Sequence, residues 1–287
     1  MTGDRFILLV SDHRRFGPVV SAWEVTPDAK GWSVLQNRLT RATPDDMRPL
    51  KLVALHEIID LSDTFSDGEI HRQFSRPGTS LKDFLDRVTA EILQSQIRPF
   101  IDRKIDKILR LAIAHDIGLY IHDGSSRVYY KNRLIVYQEQ AEPWFCFTKT
   151  PEGSNYVLEL FQNEKRIHLQ SDSNRIICRN PCWYLSENRL HHLPEGFDGK
   201  KIEPFLKKET LLIPATSEKK YFETFILKTL KTGQVKATGF KIQSLDPVRI
   251  MELSAESDWQ GRAILVIWFR YGDKRVMAGR SQKVFID

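Results

Sequence analysis

Apolar and polar positions change rhythm twice along this chain. "FILLV", "VVSAWEV" and "WSVLQNRL" are short apolar runs, separated by the turn-rich "SDHRRFGP" and "TPDAKG". They predict three strands in an N-terminal meander. After Pro44 the rhythm becomes helical. "PLKLVALHEIIDLS" places Leu52, Leu55, Ile58 and Ile59 on one face, and "SDGEIHRQFS" predicts a short helix. "GTSLKDFLDRVTAEILQSQI" opens with a capping residue at Thr79 or Ser80 and carries a stripe of Leu81, Phe84, Leu85, Val88, Ile92 and Leu93. Pro99 has no N–H for an interior helical bond, so a kink or fresh helix start is expected there. "PFIDRKIDKILRLAIAHDIG" resumes the stripe with Ile101, Ile105, Ile108, Leu109 and Ala112, and Gly118 is the expected stop.

The second change comes at residue 119. "GLYIH", "RLIVYQ", "PWFCFTK", "NYVLELF", "RIHLQS", "NRIICR", "CWYLS" and "RLHHL" follow one another at turn-separated intervals. That spacing predicts an antiparallel meander or small barrel, without the fixed period of a propeller. "PEGFDGKK" reads as a linker. Beyond it, "ATSEKKYFETFILKTLKTG" predicts a helix capped by Thr216 or Ser217, striped by Tyr221, Phe222, Phe225, Ile226 and Leu230, and stopped at Gly233. "VKATGFKIQSL", "RIMELSA", "RAILVIWFRYG", "KRVMAG" and "KVFID" read as strands. The expected class is α+β: a helical segment packed beside an antiparallel β-rich meander, followed by a smaller α+β unit. The expected divisions are 1–118 (meander plus helices), 119–199 (β-rich) and 200–287 (basic α+β).

Composition narrows the class. An apolar fraction of 41% is ample for a core. The longest apolar run, residues 263–269, is far too short to span a bilayer. The start, "MTGDRFILLVSD", lacks the pattern of a secretory leader. Three cysteines fit a cytoplasmic protein with reduced thiols. The formal charge of +6 is uneven, because residues 200–287 alone carry a net +7. That excess admits a polyanionic partner such as DNA; no membrane partner is expected.

No motif supports catalysis. Cys178, Cys182, His191 and His192 follow zinc-ligand order, but the gap to the histidines is short. Adjacent histidines on a strand also point to opposite faces, and Pro181 interrupts the knuckle. The thiols read as small buried hydrophobes on neighbouring strands, and Cys146, flanked by Phe145 and Phe147, as core or sheet. "HEIID" (56–60) has Asp60 where a zinc protease needs its second histidine. "FDGKKIE" lacks the glycine and hydroxyl residue of a phosphate-binding loop, and there is no nucleophile elbow. Ser11, Asp12 and His13 are adjacent rather than assembled across a fold, and Asp12 to Arg15 read as a polar turn.

Basic residues beside aromatic ones are the candidate contacts to phosphates and bases: Arg14, Arg15, Lys200, Lys201, Lys207, Lys208, Lys219, Lys220 and Arg270. Lys219 and Lys220 are expected at a helix N-terminus, where the dipole disfavours them and some other use is implied.

Four stretches carry a family resemblance: "IRPFIDRKIDKILRLAI", "RIICRNPCWYL", "PFLKKETLLIPATSEKKYFETFI" and "GRAILVIWFRYGDKRVMAG". In order and texture, from about residue 97 to 279, they resemble the region preceding the ATPase motor of bacterial Swi/Snf-type helicases, within the DEAD/DEAH-box superfamily. The resemblance implies that the chain continues past Asp287 into two RecA-like lobes. It also implies that this region is a non-catalytic regulatory or DNA-contacting module, with the motor of the same polypeptide as its partner. ATP and magnesium would belong to that motor. The phosphate-binding loop and acidic metal-binding motif are absent here, so no motor residue carries over and no cofactor is expected in this chain. The competing expectations are a protein-interaction module that never touches nucleic acid, and an unrecognised hydrolase with a deep polar pocket.

Overall fold

The computed structural model describes residues 5–28, 32–43, 53–229, 232–240, 250–257, 261–271 and 274–277, without the side chains of 223–229, 250, 264, 269–271 and 274–277. The chain forms two compact units, neither contiguous. The first comprises 1–146, 156–211 and 229–236, the second 147–155, 212–228 and 237–287. The architecture is α+β, and no described helix is long and apolar enough to cross a membrane.

In the first unit, β1 (Phe6–His13) and β2 (Gly17–Pro27) form an antiparallel hairpin from Phe6↔Glu24 to His13↔Gly17. β3 (Ser33–Leu39) pairs with β2. The helices follow: α1 (Val53–Asp63), α2 (Asp67–Phe74), α3 (Leu81–Arg87), α4 (Ala90–Ile92), a π turn (Leu93–Ile97) and α5 (Arg98–Ala114). β4 (Leu119–Ile121) then pairs parallel with β1 and β5 (Arg127–Val128) antiparallel with β3, giving the order β4-β1-β2-β3-β5.

Both faces of this sheet are covered, which explains the unbroken "FILLV". Leu8 and Val10 join Leu55, Ile58, Ile101, Ile105 and Ile108 in the main core. Ile7 and Leu9 point the other way, with Val25, Tyr120 and Val128.

The helical tract breaks earlier than its apolar stripe suggests. α3 stops at Arg87, with Val88 extended, and Thr89 caps a new start by accepting from Ile92 N–H. Pro99 lies inside the continuous tract that begins at Ala90. The π turn before it widens the ladder, with Arg98 N–H donating to Leu93 O, which accommodates a residue that has no N–H to give. The stop is Asp116, at φ +49°, rather than Gly118. Ile117 N–H donates to Ala112 O at 2.9 Å and Asp116 N–H to Ile113 O at 3.3 Å, the paired bonds of a Schellman end.

The β-rich sequence is divided among sheets. β6 (Ile135–Gln140) lies with β10 (Arg175–Cys178), β11 (Trp183–Ser186) and β12 (Arg189–His192) in the order β10-β11-β12-β6, where the last pairing is parallel. Ile177, Cys178, Trp183, Leu185 and Leu190 of this sheet enter the main core. β7 (Glu142–Thr150) and β8 (Gly153–Gln162) form a long hairpin, and β9 (Lys165–Ile167) pairs with β8. "PEGFDGKK", read as a linker, is packed: Phe197 is buried, its last three residues form a 3-10 turn (Gly199–Lys201), and a second 3-10 turn follows at Glu203–Leu206. Gly233 is needed for close approach, since a Cβ there would lie 2.4 Å from Pro143 O.

The second unit holds residues 147–155 at the tip of the β7–β8 hairpin, most of β13 (Leu211–Pro214), all but the last residue of α6 (Ala215–Thr229), and the end of β14 (Gln234–Thr238). The sheet order is β13-β8-β7-β14. β15 (Ile250–Ser257), β16 (Ala263–Tyr271) and β17 (Lys274–Met277) form a separate antiparallel meander. α6 starts at Ala215, directly after Pro214, so Lys219 and Lys220 lie in its second turn and the acidic Glu218 in its first. The dipole objection to those lysines falls away. Glu218 accepts from Ser154 and Lys149, which ties the helix to the hairpin tip.

Candidate functional site

α5 carries two stripes. The apolar one enters the core. The other, Arg98, Asp102, Asp106 and Arg110, recurs every fourth residue and meets the second sheet. Arg98 is buried. Its Nη1 donates to Phe16 O at 2.7 Å and Pro18 O at 2.9 Å, and its Nη2 to Asp102 Oδ1 at 2.5 Å and Ile177 O at 3.0 Å. Asp102 Oδ2 accepts from Arg179 N–H at 3.0 Å. Burial pushes the Asp102 carboxyl up, and the Arg98 guanidinium opposes that push. One ion pair thus clamps the β1–β2 turn, α5 and the end of β10 together.

The stripe continues as a ring. Arg110 Nε donates to both Asp106 oxygens at 3.0 Å, and Trp183 Nε1 donates to Asp106 Oδ1 at 2.8 Å. Arg110 Nη2 donates to His192 Nε2 at 3.0 Å, and His192 stacks on Trp183 with centroids 4.6 Å apart. Arginine has only donors, so His192 Nε2 is the acceptor. Burial, and then Arg110, hold its pKa below the usual imidazole value.

Beside the clamp lies a groove of 410 Å³ whose lining includes Arg15, Pro18, Gln94, Arg98, Arg175, Arg179, Glu203 and Leu206. Its four arginines are not equally available. Arg98 is spent on the clamp. Arg175 pairs with Asp12 and Arg179 with Glu203, each at 2.5 Å. Arg15 donates to Leu85 O at 3.0 Å and has no carboxylate partner among the described residues. Asp12 and Glu203 are 57% and 41% exposed but their arginines only 29% each, so these partly exposed pairs contribute on the order of 1 kcal/mol, and Arg179 Nη1 also donates to Gln94 Oε1. A phosphate oxygen can therefore compete for Arg175 and Arg179, though not for Arg98. The one aromatic side chain in the lining, Phe16, is buried, so the groove offers charge to phosphates without a ring for base stacking.

Of the residues expected to contact nucleic acid, Arg15 lines this groove. Arg14 is its exposed neighbour in the same turn. Lys207 and Lys208 are exposed and directly follow Leu206, another lining residue, while Lys200 is exposed on the preceding 3-10 turn. Lys201 is turned inward. Its ammonium sits 5.3 Å and 5.2 Å from the ring centroids of Phe145 and Phe197, donates to Thr232 Oγ1, and is held below its ordinary pKa by burial. Lys219 and Lys220 are exposed on α6 in the second unit. The backbone of Arg270 lies on β16, and its side chain is outside the described residues. Sequence reasoning missed Arg98, Arg175 and Arg179. The signals were present: arginines four apart bracket "RIICR", and a charged stripe runs at helical spacing along "RPFIDRKIDKILR".

The cysteine–histidine stretch is a strand–turn–strand–turn–strand. Cys178 and Cys182 are fully buried, and burial pushes both thiols far up. His191 and His192 do point to opposite faces: His192 joins the Arg110 ring, while His191 stacks on Tyr137 and meets Gln162. Cys146 lies on β7 with its Sγ 3.6 Å from Glu159, and burial followed by that carboxylate raises its pKa to about 11. Comparison of the chain with protein-family models, curated proteins and solved structures found no match.

Proposed function

We propose that this chain is a non-catalytic accessory module that contacts the phosphate backbone of nucleic acid, within a polypeptide carrying a Swi/Snf-type ATPase motor. The arginine groove carries the first half of this reading. It combines a guanidinium with no carboxylate partner among the described residues, two more held by partly exposed ion pairs, and a buried clamp that joins the two segments on which they stand, the β1–β2 turn and the end of β10. The motor half rests on the resemblance of the four sequence stretches. Three phosphate contacts give a slope of about −2.7 in log affinity against log salt, hence a loss of roughly fortyfold between about 50 and 200 mM salt. Titrating a labelled duplex at those two concentrations tests this. Arg15→Glu combined with Arg179→Glu should flatten the slope. Absence of binding at low salt sinks the phosphate-contact reading.

A second reading, a protein-interaction module, draws on one observation in the second unit. Met251, Leu253, Leu265 and Ile267 are 37–71% exposed on a single face of β15–β16.

A further inference from the structure

The second sheet and the β8–β9 hairpin together line a cavity of 170 Å³ that is separate from the arginine groove. Its deepest titratable group is His191, 2% exposed and stacked on Tyr137 at 5.2 Å. Its protonation follows from its neighbours. Gln162 Nε2 donates to Glu139 O at 3.2 Å, so Gln162 Oε1 is the atom 3.1 Å from His191 Nδ1. An amide oxygen only accepts, so Nδ1 carries the hydrogen. Nε2 then presents a bare lone pair, with no hydrogen-bond partner among the described residues.

The charged side chains in the rest of the lining are Lys165, Arg166 and Arg189, with one carboxylate, Glu187. Arg166 faces Glu159 and Glu209 at 3.4 and 3.7 Å, and Arg189 faces Glu187 at 3.3 Å. Lys165 has no carboxylate partner among the described residues, and Ser186 Oγ keeps its lone pairs while donating to His168 O at 3.4 Å. The cavity thus offers positive charge together with one obligate acceptor. A fully ionised oxyanion satisfies the charge but sets an oxygen lone pair against Nε2. An oxyanion that keeps a proton satisfies both.

We propose that this cavity binds a small protonated tetrahedral oxyanion, hydrogen phosphate or the head of a phosphate monoester, with Lys165 and Arg189 meeting its charge and His191 Nε2 accepting from its P–OH. Burial, and then Arg189, hold the His191 pKa down to about 4, so the imidazole does not readily supply the missing proton itself. The volume equals the share of about six waters at ~30 Å³ each, room for a phosphate group but not for a mononucleotide.

Sulfate has the same shape and no proton to give, which makes it the discriminating probe. The full chain is titrated with inorganic phosphate and with sulfate near pH 6 at constant ionic strength, following the His191 imidazole nitrogens by NMR. Working at one pH gives His168, also in the lining, the same charge against both anions. Phosphate should bind about tenfold tighter than sulfate or better, which corresponds to about 1.4 kcal/mol. Lys165→Ala, at an exposed position, should weaken phosphate severalfold with the fold intact, and Arg15→Glu should leave the His191 response unchanged. Equal affinity for the two anions overturns the proposal. So does a phosphate response indifferent to Lys165→Ala, or one abolished by Arg15→Glu. None of these outcomes depends on whether the groove binds nucleic acid.

Discussion

Two hairpins of equal length meet opposite fates in this protein. β1–β2 and β15–β16 each align eight residue pairs in antiparallel register, and each contains a run of consecutive apolar residues. In the first, Ile7, Leu8, Leu9 and Val10 are all 0–1% exposed, because helices cover one face and a second cluster the other. In the second, Leu265 is 71% exposed, and Val266, beside it on the opposite face, is 7% exposed. The first hairpin is further held at its turn by Arg98, which donates to Phe16 O and Pro18 O. Similar strand chemistry thus yields a core in one unit and a one-sided sheet in the other. The difference comes from what is packed against the strands.

The largest expected effect comes from removing the clamp. Asp102→Ala leaves the Arg98 guanidinium buried without a counter-ion and the Arg179 N–H unpaired, so urea unfolding should show a loss of about 3–5 kcal/mol. A loss under 1 kcal/mol would mean that the β1–β2 turn is held by apolar packing alone.

Acid should separate the two units next. The folded pKa of His191 is about 4, below the imidazole value of 6.5 expected when unfolded, and those of His192 and His13 are also lowered, mainly by burial. The unfolded chain therefore binds more protons in that interval. The stability these groups supply is complete above about pH 6.5 and is lost as pH falls toward 4, by roughly 3 kcal/mol for His191 alone. No histidine occurs in the second unit. Amide exchange, corrected for its intrinsic rate, should accelerate between pH 6.5 and 4.5 in β11–β12 and not in β15–β16. Equal acceleration in both hairpins would defeat this assignment.

The smallest effect sharpens the contrast directly. Leu253→Ser, at a position 57% exposed, should change the unfolding free energy by no more than about 0.5 kcal/mol. A cost above about 1 kcal/mol, read from the thermal midpoint, would show that this face is covered in solution and would erase the difference between the hairpins.

What the sequence determined by itself is the part set by neighbours within a turn or two of chain. Short apolar runs and turn residues placed β1, β2 and β3. A cap at Thr79 or Ser80 was legible for α3, and it is Ser80 that accepts from Asp83 N–H. The opposite facing of His191 and His192 followed from strand geometry alone. The helix break at Thr89 was legible in principle, since its hydroxyl serves an N–H three residues on, but the unbroken apolar stripe outweighed it. What only the tertiary structure decided are the features joining distant segments. Arg98 bonds carbonyls 82 and 80 residues away, and Asp102 accepts an N–H 77 residues away. Helical periodicity by itself places these two off the apolar stripe, which would leave them in water. They are buried because the β1–β2 turn and β10 supply the carbonyls and N–H groups that replace that water, and a charged pair leaves solvent only where such partners are complete. The arginine groove depends on the same packing, which brings Arg15, Arg175 and Arg179 together from parts of the chain about 160 residues apart.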